Sequence, residues 1–167
     1  MTSTNQANFT AASGLPSSVI IASDKNDNAV FYAASGSTFY VSTDGGATFV
    51  AEGTLGTSTA PFEIAVNPGE TGDVWVSSDE GLFHATTLNG SFATPSGVTQ
   101  AWGIALGASA TSGGSPALFA AANIGGMVGY YRSDDEGGSW VQINDAAHGF
   151  ARAADNVLSG DPRVYGR

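Results

Sequence analysis

Carboxylates are the main chemical resource of this chain, which has 15 acidic residues, five basic ones and two histidines. Paired carboxylates can divide the work of general acid and general base between them. Three groups stand close enough in sequence to invite that reading: Asp134, Asp135 and Glu136; Asp79 and Glu80; Asp24 and Asp27. Each falls in a stretch that reads as a turn. Asp24 to Asn28 also begins like a calcium loop, but Ala29 stands where such a loop needs glycine and Ser35 where it ends in glutamate. His84 lies on an expected strand and His148 far along the chain, so the two define no metal site without other ligands. Cysteine is absent, which removes disulfides and thiolate ligands. These residues call for no metal and no cofactor, and no catalytic pair can be named among them.

The turns themselves follow a rule. Ser42 to Phe49 and Ser133 to Trp140 both read S-x-D-x-G-x-[ST]-[FW], and Ala85 to Phe92 is a worn copy. In that copy Thr87 replaces the aspartate and Asn89 the second glycine. Asp44, Thr87 and Asp135 follow one another at roughly the length of one four-stranded propeller blade, about 45 residues. The phrase fits the hairpin between a third and a fourth strand. Its aspartate can accept turn N–H groups and its glycines can take positive φ. Its aromatic residue starts the next strand and buries a ring between sheets. Ser42, Asp44, Gly46 and Phe49, with Ser133, Asp135, Gly137 and Trp140, are therefore expected to be scaffold. The decay at Thr87 supports that reading.

The elements that must hold these turns are strands. One cycle is expected at Val19–Ala22, Val30–Ala34, Thr38–Ser42 and from Phe49 onward. A second is expected at Phe62–Val66, Val74–Val76, Leu82–Ala85 and from Phe92 onward. A third takes Trp102–Leu106, Ala117–Ala121, Val128–Arg132 and Trp140–Ile143, after a Gly/Ser loop at 107–115. No sustained helical period appears, apart from a turn near Asp145 to Phe150. The fold class is all-β: antiparallel propeller blades at about 15–55, 60–97 and 100–145, with the approach to another strand, Arg163–Tyr165, within 155–167. Three blades and a beginning cannot close a ring, so the chain reads as part of a larger propeller.

Composition excludes partners. A net charge of −10 offers no basic stripe for nucleic acid and no anchor for an anionic membrane. No apolar run reaches the length of a membrane span, and the polar segment from Met1 to Gln6 has no signal-peptide pattern. Trp102, near a strand entry, is the best candidate for a sugar-stacking ring, because propeller loops meet ligands there. Asp145 and His148, in an irregular segment, join it as candidate substrate contacts. Trp75 should face away from its neighbours Val74 and Val76.

Three stretches carry a family likeness: Tyr130 to His148, Gly160 to Arg167, and Asn28 to Ala33 ahead of Phe39 to Phe49. The chain resembles the C-terminal part of glycoside hydrolase family 74, enzymes built with Asp-box (BNR) repeats, from about residue 17 to its end. The resemblance implies two seven-bladed propellers with a substrate cleft between them, and a secreted, extracellular enzyme that cleaves the β-1,4-glucan backbone of xyloglucan with inversion. Inversion needs an acid and a base carboxyl about 6.5–9.5 Å apart. Neither family phrase around those aspartates, Asp-Ile-Gly-Gly or Gly-Asp-x-x-Gly-Phe, occurs here. The chain is thus expected to contribute scaffold and outer sugar subsites, with the remaining blades of the same polypeptide as its partners. A non-catalytic Asp-box module for glycan binding or assembly is the alternative. A self-sufficient hydrolase ranks last.

Overall fold

The structure, a computed structural model, describes residues 10–58, 60–145, 147 and 158–166. Among them there are eleven strands and no α-helix. The first sheet comprises β1 (Ile20–Ser23), β2 (Phe31–Ser35), β3 (Thr38–Ser42) and β4 (Val50–Thr54). The second comprises β5 (Pro61–Val66), β6 (Asp73–Ser78) and β7 (Gly81–Thr86). The third comprises β8 (Val98–Gly107), β9 (Ala117–Ile124), β10 (Met127–Ser133) and β11 (Val141–Gln142). Each sheet is an antiparallel meander in chain order. The first strands of successive sheets touch, β1 against β5 and β5 against β8, so the sheets fan out from a common hub. This is the all-β blade architecture that the turn signals predict.

Two buried layers hold the sheets face to face. Tyr32, Phe39, Leu55, Val74, Val76 and Phe83 fill the space between the first and second sheets. Trp75, Leu82, Ala101, Ile104, Leu118 and Tyr131 fill that between the second and third. β6 is buried along its whole length, and strict alternation sends Val74 and Val76 to one layer and Trp75 to the other. A backbone contact also sets the approach of the first two sheets. A Cβ on Gly53 would lie 2.3 Å from the Gly90 carbonyl oxygen, and one on Gly90, where φ is 62°, would lie 2.7 Å from the Glu52 backbone.

Three expected elements differ in the structure. β8 begins at Val98, four residues ahead of the expected start, so Trp102 lies within the strand and not at its entry. Phe92 begins no strand; one isolated bridge, His84 to Ala93, stands in for the fourth strand of the second sheet. Pro95 follows two residues later without an N–H to extend the ladder. The Phe92 ring packs edge-on to Phe39 and Phe83 at centroid distances of 5.0 and 6.2 Å. Arg163–Tyr165 forms bends and a turn rather than an extended approach. Asp161 accepts from the Arg163 and Val164 N–H groups and so curls that segment, while its carbonyl takes the Ala108 N–H at 2.8 Å. Of the helical turn expected near Asp145 to Phe150, only Asp145 and Ala147 belong to the described residues.

Candidate functional site

The two intact boxes form the same hydrogen-bond cage. Asp44 Oδ1 accepts from the Ala47 and Thr48 N–H groups at 3.0 and 2.9 Å, and Oδ2 accepts from Thr48 Oγ1 at 2.6 Å. Asp135 repeats the last two with the Ser139 N–H and hydroxyl at 2.8 and 2.6 Å, while the Gly138 N–H turns to the Asp135 backbone carbonyl at 3.1 Å. Ser42 and Ser133 each donate to their aspartate at 2.8 Å and accept from the Gly46 and Gly137 N–H groups. Those glycines take φ of 82° and 80°. Hydroxyl and amide donors, led by Thr48 and Ser139, hold both carboxyls at about 2. Groups that acidic stay ionised at any ordinary pH, which suits a turn and not a general acid. Of the box rings, Phe49 is buried and Trp140 half-buried against the second layer.

The worn copy moves its acceptor to a neutral amide two positions on. Asn89 Oδ1 takes the Thr87 hydroxyl at 2.6 Å and the Ser91 N–H at 3.3 Å. An asparagine two positions after Thr87 therefore does part of what an aspartate at 87 would do.

Several other carboxylates are engaged as well. Asp24 is buried and accepts from the Asn26 and Asp27 N–H groups, from Tyr32 Oη at 2.5 Å and from Thr71 Oγ1 at 3.1 Å. Burial alone would raise its carboxyl, but these donors together hold it below the ordinary value. Its oxygens face protein donors, where a calcium loop would turn them to a cation. Asp79 accepts from Ser58 Oγ and the Ala60 N–H, and Glu80 from the Thr57 N–H and hydroxyl, so both brace the loop ahead of β5. Asp73 bonds His84 Nε2 at 2.8 Å, and His84 stacks on Trp75 with ring centroids 4.0 Å apart. Ser115 lines the same small cavity but donates to Glu136, so no Ser–His–Asp relay forms there.

Glu63 is the carboxylate that the sequence reading missed. It lines a cleft of about 450 Å³ at the hub with Lys25, Pro68, Leu106, Leu158 and Pro162. Burial raises its carboxyl, and the Ile104 N–H, donating to Oε2 at 3.0 Å, partly opposes that. A perturbed carboxyl in a cleft is a functional signal. Yet Glu63 is the only acidic residue lining this cleft among the described residues, whereas hydrolysis of a glycosidic bond takes two. Nothing in the local pattern around Glu63 marks it, because its partner Ile104 lies on the next sheet.

The candidate sugar contacts are not gathered at one point. The first strand of each sheet starts at the end away from the boxes. Trp102 lies on β8, half-exposed, at a register shift between Ala101 and Gly103. Asp145 follows β11 at the opposite edge of the same sheet. Three strand spacings, roughly 14 Å, separate the two edges. His148 lies outside the described residues.

Comparison with known proteins gives the site its context. No protein-family model matches the sequence. A xyloglucanase of Paenibacillus sp. is 37% identical over 172 residues, covering 99% of this chain and 17% of that protein. The xyloglucanase Xgh74A of Acetivibrio thermocellus is 35% identical over 168 residues, covering 100% of this chain and 20% of that protein. The crystal structure of the GH74 xyloglucanase from Xanthomonas campestris superposes with a TM-score of 0.82 at 32% identity, covering 96% of this chain and 23% of that one. The chain thus spans about a fifth of the length of the curated relatives it matches.

Proposed function

We propose that this chain, a segment of glycoside hydrolase family 74, supplies an arc of propeller sheets to an enzyme that cleaves the β-1,4-glucan backbone of xyloglucan. The observation that carries this reading is the match of nearly the whole chain, in sequence and in fold, to part of proteins named xyloglucanases. The segment acts as scaffold and as a wall of outer sugar subsites. Trp102 is the ring of that wall, and Asp145 and His148 are further substrate contacts. The box residues hold the turns at the far end of each sheet. The remaining blades of the same polypeptide cover the outer face of the third sheet, where Val141 and Ile143 are 66% and 54% exposed. The enzyme works outside the cell, where its polymer substrate is found.

The isolated chain is expected to release no oligosaccharide from xyloglucan. The test is a hybrid in which this chain replaces the matching segment of the Acetivibrio thermocellus xyloglucanase. Hydrolysis of xyloglucan by the hybrid supports the reading. A hybrid that melts cooperatively yet releases nothing overturns it. A second reading, a non-catalytic glycan-binding module, is favoured by the single carboxyl of the hub cleft and by the caged box aspartates. It predicts retardation of the isolated chain in xyloglucan gels without any hydrolysis, even by the hybrid.

A further inference from the structure

The second and third sheets share an irregularity at the same place in the repeat. Phe62-Glu63-Ile64-Ala65-Val66 on β5 aligns with Trp102-Gly103-Ile104-Ala105-Leu106 on β8. On β5 the register passes from Pro61 opposite Ser78 to Glu63 opposite Ser77, leaving Phe62 as the extra residue of a bulge. On β8 it passes from Ala101 opposite Ala122 to Gly103 opposite Ala121, leaving Trp102 in the same role. A bulge takes a side chain out of strict alternation and re-aims it, and bulges gather beside functional sites. On the first sheet β1 pairs with β2 without a shift, and the aligned residue is Val19. The aromatic bulge therefore belongs to two neighbouring sheets and not to the repeat as such.

Among the described residues, packing places neither ring in a buried layer. Phe62 and Trp102 are half-exposed, whereas Ala101 and Ile104 beside Trp102 are fully buried. Neither ring belongs to the two buried layers or to the half-buried side chains packed against them. The bond from the Ile104 N–H to Glu63 Oε2 joins the two strands one residue beyond Phe62 and two beyond Trp102. The two rings therefore sit on adjacent strands at one level of the hub. Thr99, exposed, and Gln100, half-exposed, add polar groups just ahead of Trp102.

We infer that Phe62 and Trp102 are paired stacking platforms for successive pyranose rings of a β-glucan chain lying across the first strands of the second and third sheets. The inference rests on the xyloglucan reading above and adds Phe62, a residue that reading leaves unassigned. Flat apolar faces with a few polar groups beside them are what a sugar ring needs, since its C–H faces are apolar and its rim carries hydroxyls.

The test is native affinity electrophoresis of the full-length protein in gels containing xyloglucan, with hydroxyethyl cellulose as a second polymer. Phe62→Ala and Trp102→Ala are each expected to weaken retardation by xyloglucan roughly three- to tenfold. Phe62→Tyr and Trp102→Phe, which keep a flat ring, should retain most of it and guard against misfolding of the alanine variants. Alanine variants that melt like the parent and are retarded as strongly would overturn the platforms and leave the xyloglucan reading intact. Alanine and ring-keeping variants weakened alike would also overturn them, because the flat face would then not be what binds. A parent protein retarded by neither polymer would overturn both readings. Equal effects of the alanine variants in both polymers would support backbone stacking.

Discussion

Tyr32→Phe removes one oxygen from the junction between the first and second sheets, and its cost can be worked out from the structure. Tyr32 is fully buried. Its hydroxyl donates to the buried Asp24 carboxylate and accepts from the Gly72 N–H at 2.9 Å. Loss of a hydrogen bond to a charged acceptor costs about 1.5–3 kcal/mol, and an orphaned buried N–H about 1–3 kcal/mol. The two losses share one site and relax together, so about 2–4 kcal/mol is expected in all. The effect should also depend on pH. Asp24 is held below its ordinary value of 3.8, so its contribution is present above that value and is lost as pH falls through the lower folded value. Without the Tyr32 donor the folded value moves back up, and the penalty narrows in acid. Urea unfolding of the full-length protein and of the variant, at neutral pH and near pH 3, measures both quantities. A penalty below about 0.5 kcal/mol at neutral pH, or one unchanged in acid, would refute the reasoning, because an exchange for water would then be enough to replace this hydroxyl.

Other perturbations probe the remaining parts. Phe39→Ala empties a fully buried site beside Tyr32 and Phe92 and should cost about 3–5 kcal/mol by thermal or urea unfolding. Asp44→Asn and Asp135→Asn should flatten the acid side of the stability profile. Their carboxyls titrate near 2 when folded, so the stability they lend is present above the ordinary value and lost as pH falls toward 2. The 167-residue chain alone should elute from a sizing column as associated species, because Val50, Val141 and Ile143 expose apolar surface.

Local patterns made most of the strands legible. Thr38–Ser42 is bounded by Gly36 and by the box, and its observed limits are those read from the sequence. The alternation of Val74, Trp75 and Val76 named the two faces of β6 before any neighbour was known. What stayed hidden depends on residues distant in sequence. Asp24 looks like a surface turn until Tyr32, itself held by the Gly72 N–H, and Thr71 converge on it. Glu63 looks like an ordinary strand residue until Ile104 supplies its N–H from the next sheet. The bulges at Phe62 and Trp102 are equally invisible, since the extra residue exists only relative to the pairing strand. Phe92 misled for the opposite reason: the box-like phrase promised a strand, and Pro95 withdrew the donor that would have continued it.

The meeting of Gly53 and Gly90 has a consequence for how this molecule can vary. At a packed site such as Phe39, a loss of volume on one side can be made good by a larger neighbour, so second-site suppressors exist in principle. Between Gly53 and Gly90 the contact is backbone to backbone, and both partners are already the smallest residue there is. Neither can shrink to accommodate growth in the other. A substitution at either position therefore has no compensating change at its partner, and relief can come only from parting the two sheets. Drift that is free to reshuffle the apolar layers on either side meets a hinge of fixed width here.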